Sequence, residues 1–201
     1  MKKLILTMTM ITLALAIISA PAFGQGSPIA KKTWQLSGGI SFASFGGDLY
    51  KVGNDKPTAF SLTPGVNYFF LDGVAAGAKI LYSKYSIGDY STANLGIGPQ
   101  VTYYFNINKE KSGKGALYPY LGVAFLYSTA TDKVPGTPDV KSKMTTFSID
   151  GGAAYMLTNS VGLFGQLEYD ADSGKQTDPV ETDSMSGSVI SIFTGFTFFI
   201  Y

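Results

Sequence analysis

Three charged residues sit where the chain otherwise alternates apolar and small side chains: Lys79, Asp150 and Glu168. Two carboxylates with an ammonium group nearby are the raw material of general acid–base catalysis. The rest of the equipment is missing. The sequence contains no His, so the usual base near neutral pH is absent. It contains no Cys, which removes thiolate chemistry and any disulfide frame. A Ser/Lys or paired-carboxylate site is the chemistry left to weigh. The competing reading is an ion-pair network in an enclosed interior, because charges taken out of water must be paired. We favour that reading, with Gln100 and Gln166 completing the hydrogen bonds, and assign no catalytic residue. Asp170, Asp172, Asp178, Glu181 and Asp183 crowd one stretch against Lys175. They lack the spacing and the Gly of a calcium loop, so they read as a solvated, self-repelling loop. No metal and no cofactor is expected.

The elements that place these residues are strands. In the clearest hairpin, Phe60, Leu62, Pro64, Val66, Tyr68 and Phe70 alternate with Ser61, Thr63, Gly65 and Asn67. After Asp72-Gly73, a strong turn signal, Val74, Ala76, Ala78, Ile80 and Tyr82 alternate with Ala75, Gly77, Lys79, Leu81 and Ser83. Period two means that successive side chains face opposite sides of a sheet. The small and polar set suits a narrow interior, which turns the aromatic set outward. That inversion marks a membrane-spanning β-barrel. A soluble lipocalin-type carrier would need the reverse, an apolar interior.

Composition agrees. Charged residues make up 14 % of the 201 residues, against about 25 % in ordinary soluble domains. Gly (24), Phe (14) and Tyr (13) are plentiful, as tight turns and aromatic girdles require. No basic stripe suggests a nucleic-acid partner. Residues 1–24 read as an export leader: Lys2 and Lys3, then an apolar run from Leu4 to Ala20, then small residues that permit cleavage after Gly24 or Ala22. The barrel domain then covers 25–201, beginning at Gln25.

Eight strands are expected, at about 34–42, 60–70, 74–83, 93–105, 118–127, 146–157, 161–169 and 188–201. An even number suits an all-β, antiparallel, up-and-down transmembrane barrel. Short turns near Asp72, Lys109 and Asn159 would lie on the periplasmic side. Loops at 45–57, 86–91, 129–143 and 170–185 would point outward. Pro64-Gly65-Val66-Asn67-Tyr68-Phe69-Phe70 repeats as Pro99-Gln100-Val101-Thr102-Tyr103-Tyr104-Phe105. Both prolines fall on the lipid side, where a bulge is the expected accommodation of a missing N–H.

The series Pro64, Val66, Tyr68, Phe69, Asp72, Ala75 and Gly77, echoed by Gly152, Tyr155, Leu157, Asn159 and Val161, resembles a known family. It is that of small outer-membrane β-barrel domains, the porin-family eight-stranded barrels akin to OmpX and OmpA, closest to Bacteroidetes-type versions. The resemblance implies an outer-membrane location and contact with outer-membrane lipid and lipopolysaccharide. It also implies a closing strand read by the barrel assembly machinery, here Phe196, Phe198, Ile200 and Tyr201, with the apolar series ending at Ile200. A monomer is expected. The reading of function is a non-catalytic barrel with a filled polar lumen and outward loops serving envelope stability or surface interaction. A narrow porin-like pore for small solutes or ions is the alternative.

Overall fold

A computed structural model describes residues 27–44, 55, 57–107, 112–178 and 184–201. The expected leader and its cleavage sites, Gln25, most of the loop at 45–57, Lys109, and Glu181 and Asp183 lie outside them. The eight strands are β1 (Trp34–Ser44), β2 (Thr58–Leu71), β3 (Val74–Ile87), β4 (Tyr90–Tyr104), β5 (Leu117–Lys133), β6 (Val140–Met156), β7 (Val161–Asp178) and β8 (Met185–Ile200). Each pairs antiparallel with its sequence neighbours, and β1 pairs with β8, closing the ring. Closure leaves every strand two partners, the only way a sheet satisfies its backbone in hydrocarbon.

The alternation translates directly into faces. Along β5, Leu121, Val123, Phe125 and Tyr127 are exposed, whereas Tyr120, Gly122, Ala124, Leu126 and Ser128 are buried. The dry face is therefore the outer wall. Gly73, with φ of 75°, makes the left-handed bend of the β2–β3 turn, a conformation Gly adopts without penalty.

Three expectations change. The stretches at 86–91, 129–143 and 170–185 are strand for much of their length, with β3 and β4 separated only by Gly88-Asp89 and β5 running to Lys133. The apolar signal fades there because both faces are polar, while backbone pairing carries on: Ala171 to Gly174 still pair with both β6 and β8. No bulge occurs at Pro64 or Pro99, since the register is the same on either side of each proline. The irregularities lie instead between Phe69 and Leu71 and between Lys141 and Ser142. Finally, the interior is not polar throughout. Phe69, Tyr104, Tyr118, Tyr120, Phe164 and Phe199 point inward near the short turns and form a buried aromatic cluster. The outward aromatics were the obvious pattern, but runs such as Tyr68-Phe69-Phe70 supply both faces.

Residues 27–33 complete that cluster. Ile29 is buried within it, and its carbonyl accepts the Gly73 N–H at 2.7 Å. Lys32, the one non-glycine with positive φ among the described residues, donates its N–H to the Phe69 carbonyl. Lys31 donates its backbone N–H to the Asp72 carboxylate at 2.7 Å. This segment is a cap on the barrel floor.

Candidate functional site: the filled lumen

Above the aromatic floor the lumen becomes polar. Gln35 (β1), Asn67 (β2), Lys79 (β3), Asn94 (β4), Asp150 (β6) and Glu168 (β7) are all buried, and Gln100 and Gln166 are half-buried. Their burial follows from parity, since each stands at an inward position of its strand. Lys79 Nζ donates to Glu168 Oε1 at 2.6 Å, across the barrel from β3 to β7. Gln166 Nε2 donates to the other carboxylate oxygen, and the Tyr120 hydroxyl donates to Gln166 Oε1 at 3.0 Å. Both oxygens of Glu168 are therefore satisfied, as a carboxylate with a side chain 1 % exposed requires.

Gln100 takes a different part from the expected one. Its amide donates to Asn67 Oδ1 at 2.9 Å. Asn67 Nδ2 donates to Gln35 Oε1, and Gln35 Nε2 donates to the hydroxyls of Tyr104 and Thr197. This second network of amides and hydroxyls joins β4, β2, β1 and β8. It ends on Tyr104, itself a member of the floor.

Asp150 stands directly opposite Glu168 in the β6–β7 register. Its carboxylate lies over Gly122: a Cβ built there would meet Oδ2 at 2.6 Å and Oδ1 at 2.7 Å. A glycine on β5 thus makes the space that an acid on β6 occupies. At Gly77 a Cβ would meet the Val66 carbonyl oxygen at 1.8 Å before the Asn67 Oδ1 at 2.5 Å, so there it is the neighbouring backbone that needs the space. Asp150, Lys79, Tyr104, Tyr120 and Gln166 border a cavity of about 40 Å³. That is room for about three water molecules. The structure brings the two acids and the ammonium together inside the lumen, with Glu168 paired to Lys79 and Asp150 beside the cavity.

Three inward acids escaped the sequence reading: Asp132, Asp170 and Asp172. Asp170 and Asp172 belong to β7, not to a loop. The hydroxyls of Ser148 and Thr146 on β6 donate to their carboxylates. Likewise Thr92 on β4 donates to Asp132 on β5 at 2.6 Å. The signal was available: Gln166, Glu168, Asp170 and Asp172 keep one parity. The long-strand end of the lumen is therefore lined by carboxylates held by hydroxyls.

At the closing strand, Phe196 and Ile200 are exposed on the outer wall and Phe198, on the same face, is half-buried. Tyr201 turns back, and its hydroxyl donates to the Asn159 carbonyl at 2.6 Å. The four residues thus divide into three on the lipid face and one that ties to the β6–β7 turn.

The sequence profile of the outer membrane protein beta-barrel domain matches residues 10–198. No curated protein matches the chain. Among solved structures it is similar to Neisserial surface protein A, at 15 % identity and a TM-score of 0.54, covering 83 % of this chain and 96 % of that one. It is similar to OprG from Pseudomonas aeruginosa, at 15 % identity and 0.54, covering 88 % and 100 %. AlkL, determined in lipid bilayers, matches at 14 % identity and 0.51, covering 90 % and 95 %. At these identities the likeness is one of fold.

Proposed function

The chain belongs to the outer membrane protein β-barrel domain family, and from that premise we propose that it is a sealed, non-catalytic barrel serving envelope stability or surface interaction. It crosses the bacterial outer membrane as a multi-pass β-barrel. With the short turns periplasmic, the long strand ends stand on the extracellular side. The observation that carries the proposal is the double closure of the lumen. An aromatic floor blocks the periplasmic end, and the Lys79–Glu168 pair crosses the middle above it. An eight-stranded barrel is just wide enough for its own side chains to fill, and this one is filled.

The same reading makes the protein a monomer. It gives Phe196, Phe198, Ile200 and Tyr201 the part of the strand recognised by the barrel assembly machinery. Three of them present an apolar row to the membrane side, where a recognising groove would meet it.

The pore alternative has one observation in its favour, the inward carboxylates Asp132, Asp170 and Asp172 at the extracellular mouth. Planar-bilayer recording of the purified, refolded barrel separates the two. We expect no steady conductance. A reproducible unitary current with cation preference would overturn the sealed-lumen proposal in favour of the pore.

A further inference from the structure

Asp150 is left over when the charges of the lumen are paired. Lys79 is the one buried lysine among the described residues, and its contact is with Glu168. Two acids side by side in the β6–β7 register thus share a single ammonium, which leaves one negative charge in excess. Asp150 is 8 % exposed, yet it makes no hydrogen bond and no ion pair among the described residues.

Thr102 answers it from the other side of Gly122. The register sets Thr102 on β4, Gly122 on β5 and Asp150 on β6 along one rung, all three inward and buried. Thr102 is 7 % exposed, and its hydroxyl also makes no hydrogen bond among the described residues. Gly122 offers no side chain, the Asp150 carboxylate lies over it, and Asp150 and Thr102 both border the cavity of about 40 Å³. Two polar groups, each more than nine-tenths buried, therefore border one small space without a protein partner. Gln100 borders it too. Its amide nitrogen already donates to Asn67 Oδ1 and to the Ala78 carbonyl, which leaves its Oε1 without a partner.

Water alone would fill this space without cancelling the charge. A carboxylate held out of bulk water is costly until something neutralises it. The charges that bear on Asp150 come from Lys79 on β3 and from Glu168 and Asp170 on β7, and they sum to negative. Tyr104 and Tyr120, also on the cavity, contribute neutral hydroxyls. A calcium ion would require six to eight oxygens, with several carboxylates among them. Both oxygens of Glu168 are committed, one to Lys79 and one to Gln166. One excess charge and one free carboxylate match one monovalent ion.

We propose that this cavity binds a single monovalent metal cation of sodium size, held by the Asp150 carboxylate, the Thr102 hydroxyl and Gln100 Oε1, with water completing its shell. No ligand spacing along the chain announces the site, because its residues meet only through the barrel register. The proposal rests on the sealed-lumen reading only in that bulk water is kept from Asp150.

The test is urea unfolding of the purified, refolded barrel in phosphatidylcholine vesicles, with sodium chloride exchanged for choline chloride at fixed pH and ionic strength. An ion bound by the folded state alone raises the folding equilibrium constant about tenfold for each tenfold rise in sodium above its dissociation constant. That dependence is expected for the unaltered protein and for Asp172→Asn, and it should vanish in Asp150→Asn. Thr102→Val, which keeps shape and loses the hydroxyl, should need roughly tenfold more sodium for the same effect, because a ligand to a charged group is gone. Equal stability in sodium and choline would overturn the proposal on the unaltered protein, with no variant required to fold. If stability then followed pH alone, a proton would be the neutralising group. An unchanged sodium dependence in Asp150→Asn would place the ion elsewhere and overturn the site. Bilayer recordings are read independently, so a steady current would remove the sealed lumen without touching the sodium result.

Discussion

The floor of the lumen and its middle are both closed, by opposite chemistry. At the floor, Phe69 stacks in tilted contact with Tyr104 and Phe199, and Tyr104 with Tyr120, at centroid separations of 5.1–6.2 Å. The phenylalanines there need no particular polar partner, because each gains mainly by leaving water, about 1.5–3 kcal/mol. In the middle, Lys79 and Glu168 each lose their hydration and recover it only through the other. The floor should therefore yield by degrees as rings are trimmed. The middle should fail at the loss of one group and recover at the loss of its complement.

The sharpest way to break this comparison is Lys79→Met. It leaves Glu168 buried with Gln166 alone, and we expect a loss of about 3–5 kcal/mol in unfolding free energy in bilayers. Adding Glu168→Gln should restore part of it. Simple additivity of the two losses would show that the pair is not coupled. Phe69→Ala should cost a comparable amount, about 3–5 kcal/mol, through the cavity it leaves in the floor. Its signature is the absence of rescue: no second polar substitution should recover stability, whereas a larger ring neighbour should. The smallest effect belongs to Gly122→Ala. Its Cβ would collide with the Asp150 carboxylate and not with backbone, so the acid should shift for about 1 kcal/mol. Combining it with Asp150→Ser should remove even that loss. If Gly122→Ala proved as damaging as Phe69→Ala, the carboxylate would be held far more rigidly than the geometry suggests.

What was legible in the sequence was parity. Lys79, Asp150 and Glu168 could be assigned to the inside because each stands between outward apolar residues. That Lys79 meets Glu168 and not Asp150 depends on strand tilt and stagger, which no local pattern encodes. Strand length was read too short wherever apolar residues gave way to Ser, Thr and Lys, as beyond Tyr127 and Tyr169. The hydrophobic signal reports lipid, whereas pairing continues above it. The floor was missed for a related reason. Phe69 and Phe199 each lie beside an outward aromatic, Phe70 and Phe198, so a run of rings hides which members turn in. A lysine for Thr197, inward by parity, would at first sight be tolerated in a polar lumen. The structure places Thr197 fully buried on the Gln35 amide, so inward does not mean spacious.

The seam between β1 and β8 carries a consequence in time. It joins the strands farthest apart in sequence, from Trp34 opposite Ile200 to Ile40 opposite Thr194, over seven positions, against sixteen between β5 and β6. Along it the chains run so close that a Cβ on Gly195 would lie 1.9 Å from the Gly38 carbonyl oxygen. The hairpins form from neighbours, while the seam waits for two distant ends to meet at the greatest entropic expense. Ring closure is thus expected to come last on the way in and to be undone first on the way out. It must also be accurate, because a slip of one rung sends Phe196, Phe198 and Ile200 into the lumen and their neighbours into the lipid.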